Sequence, residues 1–339
     1  MRAAVLDEPR PAVERPLRLR DHELGDIADE EVEIDVTACA VCRTDLQLCE
    51  GDLDAHRLPV VPGHQVVGRV VAAGPRVEGI VVGDRVGVAW LARACGVCRF
   101  CTTGRENLCQ RAEFTGWDRD GGYADRMRAD HRFVTAIPQG FDDVDAAPLL
   151  CGGVIGYRSL KVAGVEPGMR IGLFGFGASA TIVIQVAVHW GCEVHVVTRS
   201  RSEQDRARRL GAVWTGGYDD RPPVPLDAAI TFAPVGDVVV EALRSLDRGG
   251  TVAINAIHLD RVPEFPYRLL YWERTVRSVA NAARRDAEEF LALATEHSLR
   301  VSVRSVRPEE ANAALRDLKR GAIEGAAVLQ FDAPPHTPP

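Results

Sequence analysis

Four cysteines, Cys95, Cys98, Cys101 and Cys109, lie within fifteen residues of this chain. Thiolates at such short intervals reach one soft cation, and zinc binds four of them in a tetrahedron with bonds of about 2.3 Å. Four protein ligands leave no position for substrate, so the pattern predicts a structural zinc. An iron-sulfur cluster is less suitable, because its last two cysteines are usually separated by three residues and followed by proline, whereas here seven residues separate them and Gln110 follows. A disulfide framework is also less suitable, because it is typical of small secreted domains.

Three further candidate metal ligands are dispersed along the chain, namely Cys42, His64 and Cys151. Two thiolates and one imidazole would leave a fourth zinc position open for a substrate oxygen, as catalytic zinc sites do. Their spacing alone does not reveal a site, because buried cysteines and histidines are more often part of a protein core.

A glycine-rich turn follows the apolar run 170–174 and precedes a helical run at 179–190. It carries Gly175, Gly177, Ala178 and Ala180 in the spacing G-x-G-x-x-A. The first glycine allows a tight turn, the second lets a pyrophosphate approach the backbone, and the small third residue keeps the helix close to the strand. Between a strand and a helix, the motif predicts a dinucleotide site, with a bare structural turn as the alternative.

The choice of cofactor is predicted from the end of the next strand, about twenty residues further on. An NAD site usually has an acidic residue there, whereas this chain has Thr198, Arg199, Ser200 and Arg201. Arginine and hydroxyl groups would hold a 2′-phosphate through charge-assisted hydrogen bonds. The residues therefore favour NADP over NAD, unless they only form a solvated helix start.

Composition limits the classes of function. The formal net charge is −7 and no basic block dominates any segment, so nucleic acid is not an expected partner. The chain has no charge-free apolar run of about 18 residues and no secretory signal at its start, so we expect no membrane association. Nine cysteines in such a chain indicate reduced thiols or metal ligands, and we predict a cytoplasmic protein.

Two styles of sequence indicate two domains in an α/β chain. Short β-branched runs in 1–152 predict an irregular antiparallel barrel or sandwich, with the cysteine lobe at 93–110. Strands alternating with helices in 153–282 predict a parallel sheet with crossovers. Residues 283–332 are too few to fold alone and are predicted to return to the first domain. The proline-rich tail, 333–339, is predicted to be disordered.

Several motifs together resemble the zinc-containing medium-chain alcohol dehydrogenases. They are G-H-Q-x2-G-x5-G-x2-V at 63–77, C-R-T-D at 42–45, the four-cysteine lobe and G-F-G-A-S-A at 175–180, and they occur in the order that this family has. The similarity spans residues 1 to about 331. It implies a GroES-like irregular β-barrel catalytic domain and a Rossmann domain with a doubly wound parallel sheet that binds the cofactor.

The resemblance also implies roles for residues around a catalytic zinc. Cys42, His64 and Cys151 would be its ligands, and Asp45 would orient His64 through the other ring nitrogen. Thr44 would take the proton of the bound alcohol.

Arg43 would contact the cofactor pyrophosphate, and Trp90 would line the substrate pocket or belong to the core. This chain departs from the family at Gln65, where a glutamate is usual, and at Gln47, where a histidine is frequent. The first change removes a negative charge near the metal, and the second leaves a side chain that does not exchange protons near neutral pH.

The resulting prediction is an NADP-preferring enzyme that transfers hydride reversibly between a primary or secondary alcohol and its aldehyde or ketone. Reduction of a conjugated C=C bond or an iminium is the alternative reaction, and it is favoured by Gln47 and Gln65 because it needs less help with an alcohol proton. A zinc- and cofactor-binding structural protein is the alternative outside enzymes. Family members are commonly homodimers or homotetramers, so we expect a homo-oligomer.

Overall fold

The computed structural model describes residues 1–256, 259 and 261–332, which form two compact units. Unit 1 contains Met1–Cys151, Ala283–Thr295 and the described residues from Arg300 to 332, and unit 2 contains Gly152–Ala282 and Glu296–Leu299. The predicted segments 1–152, 153–282 and 283–332 differ from these units at Gly152 and at residues 296–299. The predicted disordered tail, 333–339, lies outside the described residues.

Unit 1 is built mainly from antiparallel strands. Its elements up to residue 151 are β1 (Arg2–Leu6), β2 (Leu17–Asp21), β3 (Glu31–Ala40), α1 (Arg43–Glu50), β4 (Val66–Ala73), β5 (Arg85–Val88), β6 (Leu91–Arg93), β7 (Glu113–Phe114), β8 (Arg126–Asp130), β9 (Val134–Ala136) and α2 (Asp143–Ala146).

Unit 2 alternates helices and strands. Its elements are α3 (Gly152–Ala163), β10 (Arg170–Phe174), α4 (Ala178–His189), β11 (Glu193–Val197), α5 (Arg201–Arg209), β12 (Trp214–Gly216), β13 (Leu226–Thr231), α6 (Gly236–Ser245), β14 (Leu246–Ile254) and β15 (Thr275–Ser278). The last elements of the chain are α7 (Arg284–Glu296), β16 (Val303–Val306), α8 (Ala311–Lys319) and β17 (Ala326–Gln330).

The main sheet of unit 1 has seven strands in the order β16-β17-β3-β4-β5-β9, with β8 also paired to β3. The long strand β3 pairs antiparallel with β4, β8 and β17, so it holds the end of the chain against its first half. Alternating buried side chains such as Val32, Ile34 and Val36 place one face of β3 in the core of this unit. Residues 83–91 do not form one continuous strand, because β5 ends at Val88 and β6 begins at Leu91, with Ala89 and Trp90 between them.

The sheet of unit 2 has six parallel strands in the order β12-β11-β10-β13-β14-β15. Counted from β10, this is the order 3-2-1-4-5-6 of a Rossmann sheet, as predicted. Strand β10 lies at the centre with Ile171 and Leu173 fully buried, so its carboxyl end opens at the point where the strand order reverses. Among the described residues, no helix combines the length and the hydrophobicity that crossing a bilayer requires.

Candidate active site and metal centres

A cysteine caps helix α1, and the first turn of the helix carries an acidic residue. Cys42 is the N-cap, and its backbone N–H donates to Asp45 Oδ2 at 2.8 Å. This contact closes a capping box, because the Cys42 side chain also faces the N–H of Asp45. The start of the helix thereby fixes the positions of both side chains.

The Asp45 carboxylate is buried and accepts four hydrogen bonds. Its Oδ1 accepts from His64 Nδ1 at 3.0 Å and from the Gly63 N–H at 3.2 Å. Its Oδ2 accepts from the Cys42 N–H and from the Tyr123 hydroxyl at 3.2 Å. Asp45 is 2% exposed and His64 is 1% exposed, so these bonds replace solvent for the carboxylate.

Cys42, His64 and Cys151 converge in unit 1, although they are far apart in sequence. Their ligand atoms all lie within 4.8 Å of one another, and the two Sγ atoms are 4.0 Å apart. Two thiolates on one tetrahedral zinc with bonds of about 2.3 Å would lie about 3.8 Å apart. Because Nδ1 of His64 is bonded to Asp45, Nε2 is the ring nitrogen left for a metal. The three residues therefore fit one zinc ion with an open fourth position.

The protonation of these three groups is tightly linked. A hydrogen bond from Cys151 and contacts with His64 lower the pKa of Cys42 well below its usual value, although burial opposes this. The same bond and burial raise the pKa of Cys151 well above its usual value. Burial works against a charged His64, but Asp45 and Cys42 raise its pKa to about 10. Protons on these buried groups occupy the positions that a divalent cation would take, so metal binding releases protons.

The other residues of unit 1 that were predicted to act at this site differ in burial and in their contacts. Thr44 is buried, with Oγ1 at 3.9 Å from Cys42 Sγ. Gln65 is buried and its Nε2 donates to the Ala40 carbonyl at 3.3 Å. Arg43 is exposed at the start of α1, and Gln47 is half-buried on the same helix.

Trp90 lies beside the three-ligand site. Its ring meets the His64 ring edge-on with 4.7 Å between centroids. Phe114 and Trp117 stack on Trp90 at 5.3 and 5.8 Å, and His56 stacks on Trp117 at 3.8 Å. The site is therefore flanked by an aromatic cluster in unit 1.

The four-cysteine cluster forms a separate site in the same unit. The Sγ atoms of Cys95, Cys98, Cys101 and Cys109 all lie within 4.8 Å of one another, with 3.8 Å from Cys95 to Cys101 and 3.5 Å from Cys98 to Cys101. These distances agree with one tetrahedral zinc ion, and all four cysteines are free thiols rather than disulfides. Backbone N–H groups lower the pKa of Cys95 to about 5, which favours the thiolate that zinc binds.

Comparison with known proteins identifies the family. Residues 28–139 match the alcohol dehydrogenase GroES-like domain family, and residues 180–296 match the zinc-binding dehydrogenase family. The chain is 47% identical over 335 residues to a probable alcohol dehydrogenase AdhA of Mycobacterium tuberculosis, covering 97% of each chain. It is also 34% identical over 340 residues to an alcohol dehydrogenase of Geobacillus stearothermophilus, covering 98% of this chain and 99% of the relative.

This chain belongs to the zinc-containing medium-chain alcohol dehydrogenases.

The structure agrees with that family. A cinnamyl alcohol dehydrogenase from Sorghum bicolor superposes with a TM-score of 0.89 at 27% identity, covering 97% of each chain. The predicted GroES-like domain and Rossmann sheet are thus confirmed. The relatives are oxidoreductases that act on CH–OH groups, and so is this alcohol dehydrogenase.

Unit 2 of this alcohol dehydrogenase carries the glycine-rich turn between β10 and α4. Gly175 has φ +92°, and a Cβ there would lie 2.9 Å from the Ala233 nitrogen, so the turn itself requires glycine. At Gly177 a Cβ would meet no atom of the described residues within 4 Å, so none of these neighbours explains that glycine. Gly177 precedes Ala178, the first residue of α4, and Ala180 is buried. The open space at the helix N-terminus fits a pyrophosphate.

The residues after β11 form the start of α5. Thr198 is buried, and its hydroxyl donates to the Glu203 carboxylate. Ser200 is the N-cap of α5 and accepts from the Glu203 N–H at 3.4 Å. Arg199 is exposed, with its guanidinium 5.9 Å from the centroid of the Tyr218 ring. Of the four predicted residues 198–201, Arg199 and Arg201 therefore leave their charges accessible in this alcohol dehydrogenase.

Sequence reasoning missed Tyr123, which donates to Asp45, and Phe114 and Trp117, which stack on Trp90. Tyr123 follows two adjacent glycines, Gly121 and Gly122, a pattern that indicates close backbone approach. The two glycines indicate crowding at this position, but they do not indicate that the Tyr123 hydroxyl binds Asp45, 78 positions away in sequence. The aromatic residues carry no sequence signal that separates a pocket wall from an ordinary core.

Proposed function

We propose that this protein is an NADP(H)-dependent alcohol dehydrogenase whose catalytic zinc is held by Cys42, His64 and Cys151. One observation carries the catalytic zinc: within the part of the chain that the structure describes, three ligand atoms lie within 4.8 Å of one another, beside the buried Asp45 carboxylate. A set of two thiolates and one imidazole matches a zinc site with one exchangeable position. The four-cysteine site has no such position, and we assign it to a structural zinc.

The bound metal would supply Lewis acidity toward the substrate oxygen, and the nicotinamide would supply or accept the hydride. Within this frame, the protein residues have defined tasks. Asp45 keeps Nδ1 of His64 protonated and thereby orients Nε2 toward the metal position that Cys42 and Cys151 share. The Thr44 hydroxyl, next to Cys42, accepts the proton of the alcohol in oxidation and returns it to the product oxygen in reduction. Gln47 does not exchange protons, so the proton leaves Thr44 for solvent or for a ribose hydroxyl of the cofactor.

The cofactor preference rests on the charges that follow β11. Arg199 and Arg201 are exposed, and the chain has no acidic residue between 198 and 201. The nearest carboxylate, Glu203, already accepts the Thr198 hydroxyl. Arg199 and the Ser200 hydroxyl would therefore hold a 2′-phosphate.

The aromatic cluster supports a substrate class. Trp90 contacts the His64 ring, and Phe114 and Trp117 stack on Trp90, so this half-buried cluster offers apolar surface to the carbon skeleton of a substrate. We therefore propose primary or secondary alcohols with an apolar substituent, and their aldehydes or ketones, as substrates. The homodimer or homotetramer and the cytoplasmic location remain predictions, and light scattering on purified protein tests the first.

Metal content and product analysis test the reaction. We expect two zinc ions per chain and NADPH oxidation with aldehydes or ketones that yields alcohols. Cys42→Ser should lose one zinc and at least about 100-fold in kcat/KM. Cys49→Ser, a buried cysteine on the same helix outside the ligand set, is the matched control and should keep both. Saturated ketones as the products of enones, without alcohol formation, would favour the alternative reductase reaction and contradict the proposal.

A charge reversal tests the cofactor preference separately. Arg199→Asp should lower kcat/KM for NADPH by about 100-fold or more and change the value for NADH by less than about 3-fold, because it exchanges attraction for repulsion at the 2′-phosphate. Arg209→Asp makes the same change in net charge at an exposed position near the end of α5 and should alter neither value appreciably. Equal losses with both cofactors would reject the phosphate role of Arg199.

A further inference from the structure

Tyr123 contacts the carboxylate that orients the histidine of the three-ligand site. Its side chain is 1% exposed, and its hydroxyl donates to Asp45 Oδ2 at 3.2 Å. The other oxygen of the same carboxylate accepts from His64 Nδ1 at 3.0 Å. One carboxylate thus connects the tyrosine hydroxyl to the imidazole.

The ring of Tyr123 also defines the backbone just before the histidine. Gly63 has φ +99°, and a Cβ there would lie 2.4 Å from Tyr123 Cδ1. The ring therefore occupies the space that any larger residue at position 63 would need. In this conformation the Gly63 N–H donates to Asp45 Oδ1 at 3.2 Å, so ring and hydroxyl act on the same carboxylate by two routes.

Backbone hydrogen bonds fix the tyrosine against the segment 61–63. The Gly122 N–H donates to the Gly63 carbonyl at 2.9 Å, and the Tyr123 N–H donates to the Pro62 carbonyl at 3.0 Å. A Cβ at Gly121 would lie 2.0 Å from the Gly63 oxygen, so this close approach requires glycine. The position of Tyr123 relative to His64 is therefore set by the main chain on both sides.

We propose that Tyr123 is a positioning residue for the catalytic zinc, because its hydroxyl fixes Asp45 and its ring fixes Gly63, and both aim His64 at the metal. The inference rests on the proposed function of Cys42, His64 and Cys151. The Tyr123 hydroxyl donates to Asp45 and its N–H donates to the Pro62 carbonyl, so it acts through Asp45 and the backbone. Partners of this kind typically change metal affinity by about 10- to 100-fold when they are removed.

Tyr123→Phe tests the hydroxyl while it keeps the ring. The matched control is Thr37→Val, which removes a hydroxyl that donates to another carboxylate of unit 1, Asp143, at 2.6 Å. Tyr123→Leu removes both ring and hydroxyl and shows how far packing alone matters. For each zinc-loaded protein, release of zinc to a chromogenic chelator is followed over a series of chelator concentrations, together with the melting temperature and the visible absorption of the cobalt-substituted form.

We expect one of the two zinc ions of Tyr123→Phe to bind about 10-fold more weakly than in the wild type, with the other zinc unchanged. The cobalt spectrum should change, and the phenylalanine should restore the melting temperature lost in Tyr123→Leu without restoring zinc affinity. Wild-type affinity for both ions in Tyr123→Phe, or an equal loss in Thr37→Val, would overturn the inference. A wild-type protein with only one tightly bound zinc would instead overturn the proposed function, and the measurement shows this before any variant is compared.

Discussion

Replacing Asp45 by asparagine is the sharpest single perturbation of the three-ligand site. The side chain keeps its shape, but one oxygen becomes an NH2 group that donates rather than accepts. In the wild type, the Asp45 carboxylate accepts from four donors, two on each oxygen. The asparagine can satisfy only the two donors on the side where its oxygen lies, so its orientation decides which interaction fails.

Both orientations of the asparagine are costly. In the first orientation, the asparagine oxygen points toward His64 and Gly63, and its NH2 group faces the Cys42 N–H. That N–H then has no acceptor, and leaving a buried donor unsatisfied costs about 1–3 kcal/mol. The Tyr123 hydroxyl can rotate and accept, so it adds little. With the amide reversed, His64 must accept at Nδ1 and carry its proton on Nε2, the nitrogen needed for the metal. Loss of the charge-assisted bond to His64 adds about 1 kcal/mol in either case, which gives about 2–4 kcal/mol in total.

Unfolding, zinc competition and kinetics measure different parts of this cost. The Cys42 N–H would be unsatisfied with and without metal, so its cost of about 1–3 kcal/mol lowers the free energy of unfolding. Zinc affinity changes through the orientation of His64, so we expect Asp45→Asn to weaken the zinc at Cys42, His64 and Cys151 by about 10- to 100-fold and to lower kcat/KM with it. The zinc of the four-cysteine site should stay. Asp143→Asn is the control, because that carboxylate accepts from Arg85 and Thr37 in the same unit. Two zinc ions bound as tightly as in the wild type would refute the reasoning about Asp45.

Two further changes address other parts of the chain. Cys101→Ser should remove the zinc of the four-cysteine site and lower the melting temperature by at least about 5 °C; calorimetry with metal analysis checks this, and an unchanged melting temperature would contradict a structural zinc there. His195 is buried in β11, and neither ring nitrogen has a hydrogen-bond partner in the described part of the chain. Burial lowers its pKa, so the unfolded chain binds the extra proton below about pH 6.5 and stability falls as pH falls through that value. His195→Leu should therefore raise the free energy of unfolding by about 1 kcal/mol at pH 8 and by more at pH 5.5, measured in urea; a gain that does not grow at low pH would reject this account.

The four-cysteine cluster was predictable because its geometry is almost independent of the fold. Ligands separated by two to seven residues reach one ion from a single loop. Cys42 and Cys151 are 109 positions apart, and only the fold brings their sulfur atoms to 4.0 Å. For these residues the order of motifs, and not their spacing, carried the prediction. The parallel sheet of unit 2 was predictable for a related reason, since strand, glycine turn and helix recur locally along the chain.

Other features depend on contacts that no local pattern records. The run 83–91 contains the strand-forming residues Val86, Val88 and Trp90, yet Ala89 and Trp90 lie outside the strands, and the Trp90 carbonyl accepts from the Thr115 N–H. Propensity describes a half-buried pleated surface and not the turn that tertiary contacts impose. The sequence did not predict the role of Tyr123 for the same reason, because that role depends on a hydrogen bond to a carboxylate 78 positions away in sequence.

The two metal sites differ in how they are ordered without metal. At the three-ligand site, the Asp45 carboxylate is held by donors from α1, from the segment 61–64 and from Tyr123, so the imidazole is oriented by the protein alone. Ordering a side chain otherwise costs up to about 2 kcal/mol, and preorganisation removes that cost from metal binding. At the four-cysteine site the sulfur atoms accept hydrogen bonds from backbone N–H groups of the same loop, those of Cys95, Cys98 and Arg111, and the loop itself is open to solvent, with Val97 74% exposed. Zinc should therefore contribute to folding at the four-cysteine loop and mainly to chemistry at the three-ligand site. This difference is the physical reason to assign a structural role to the four-cysteine site and a catalytic role to the three-ligand site.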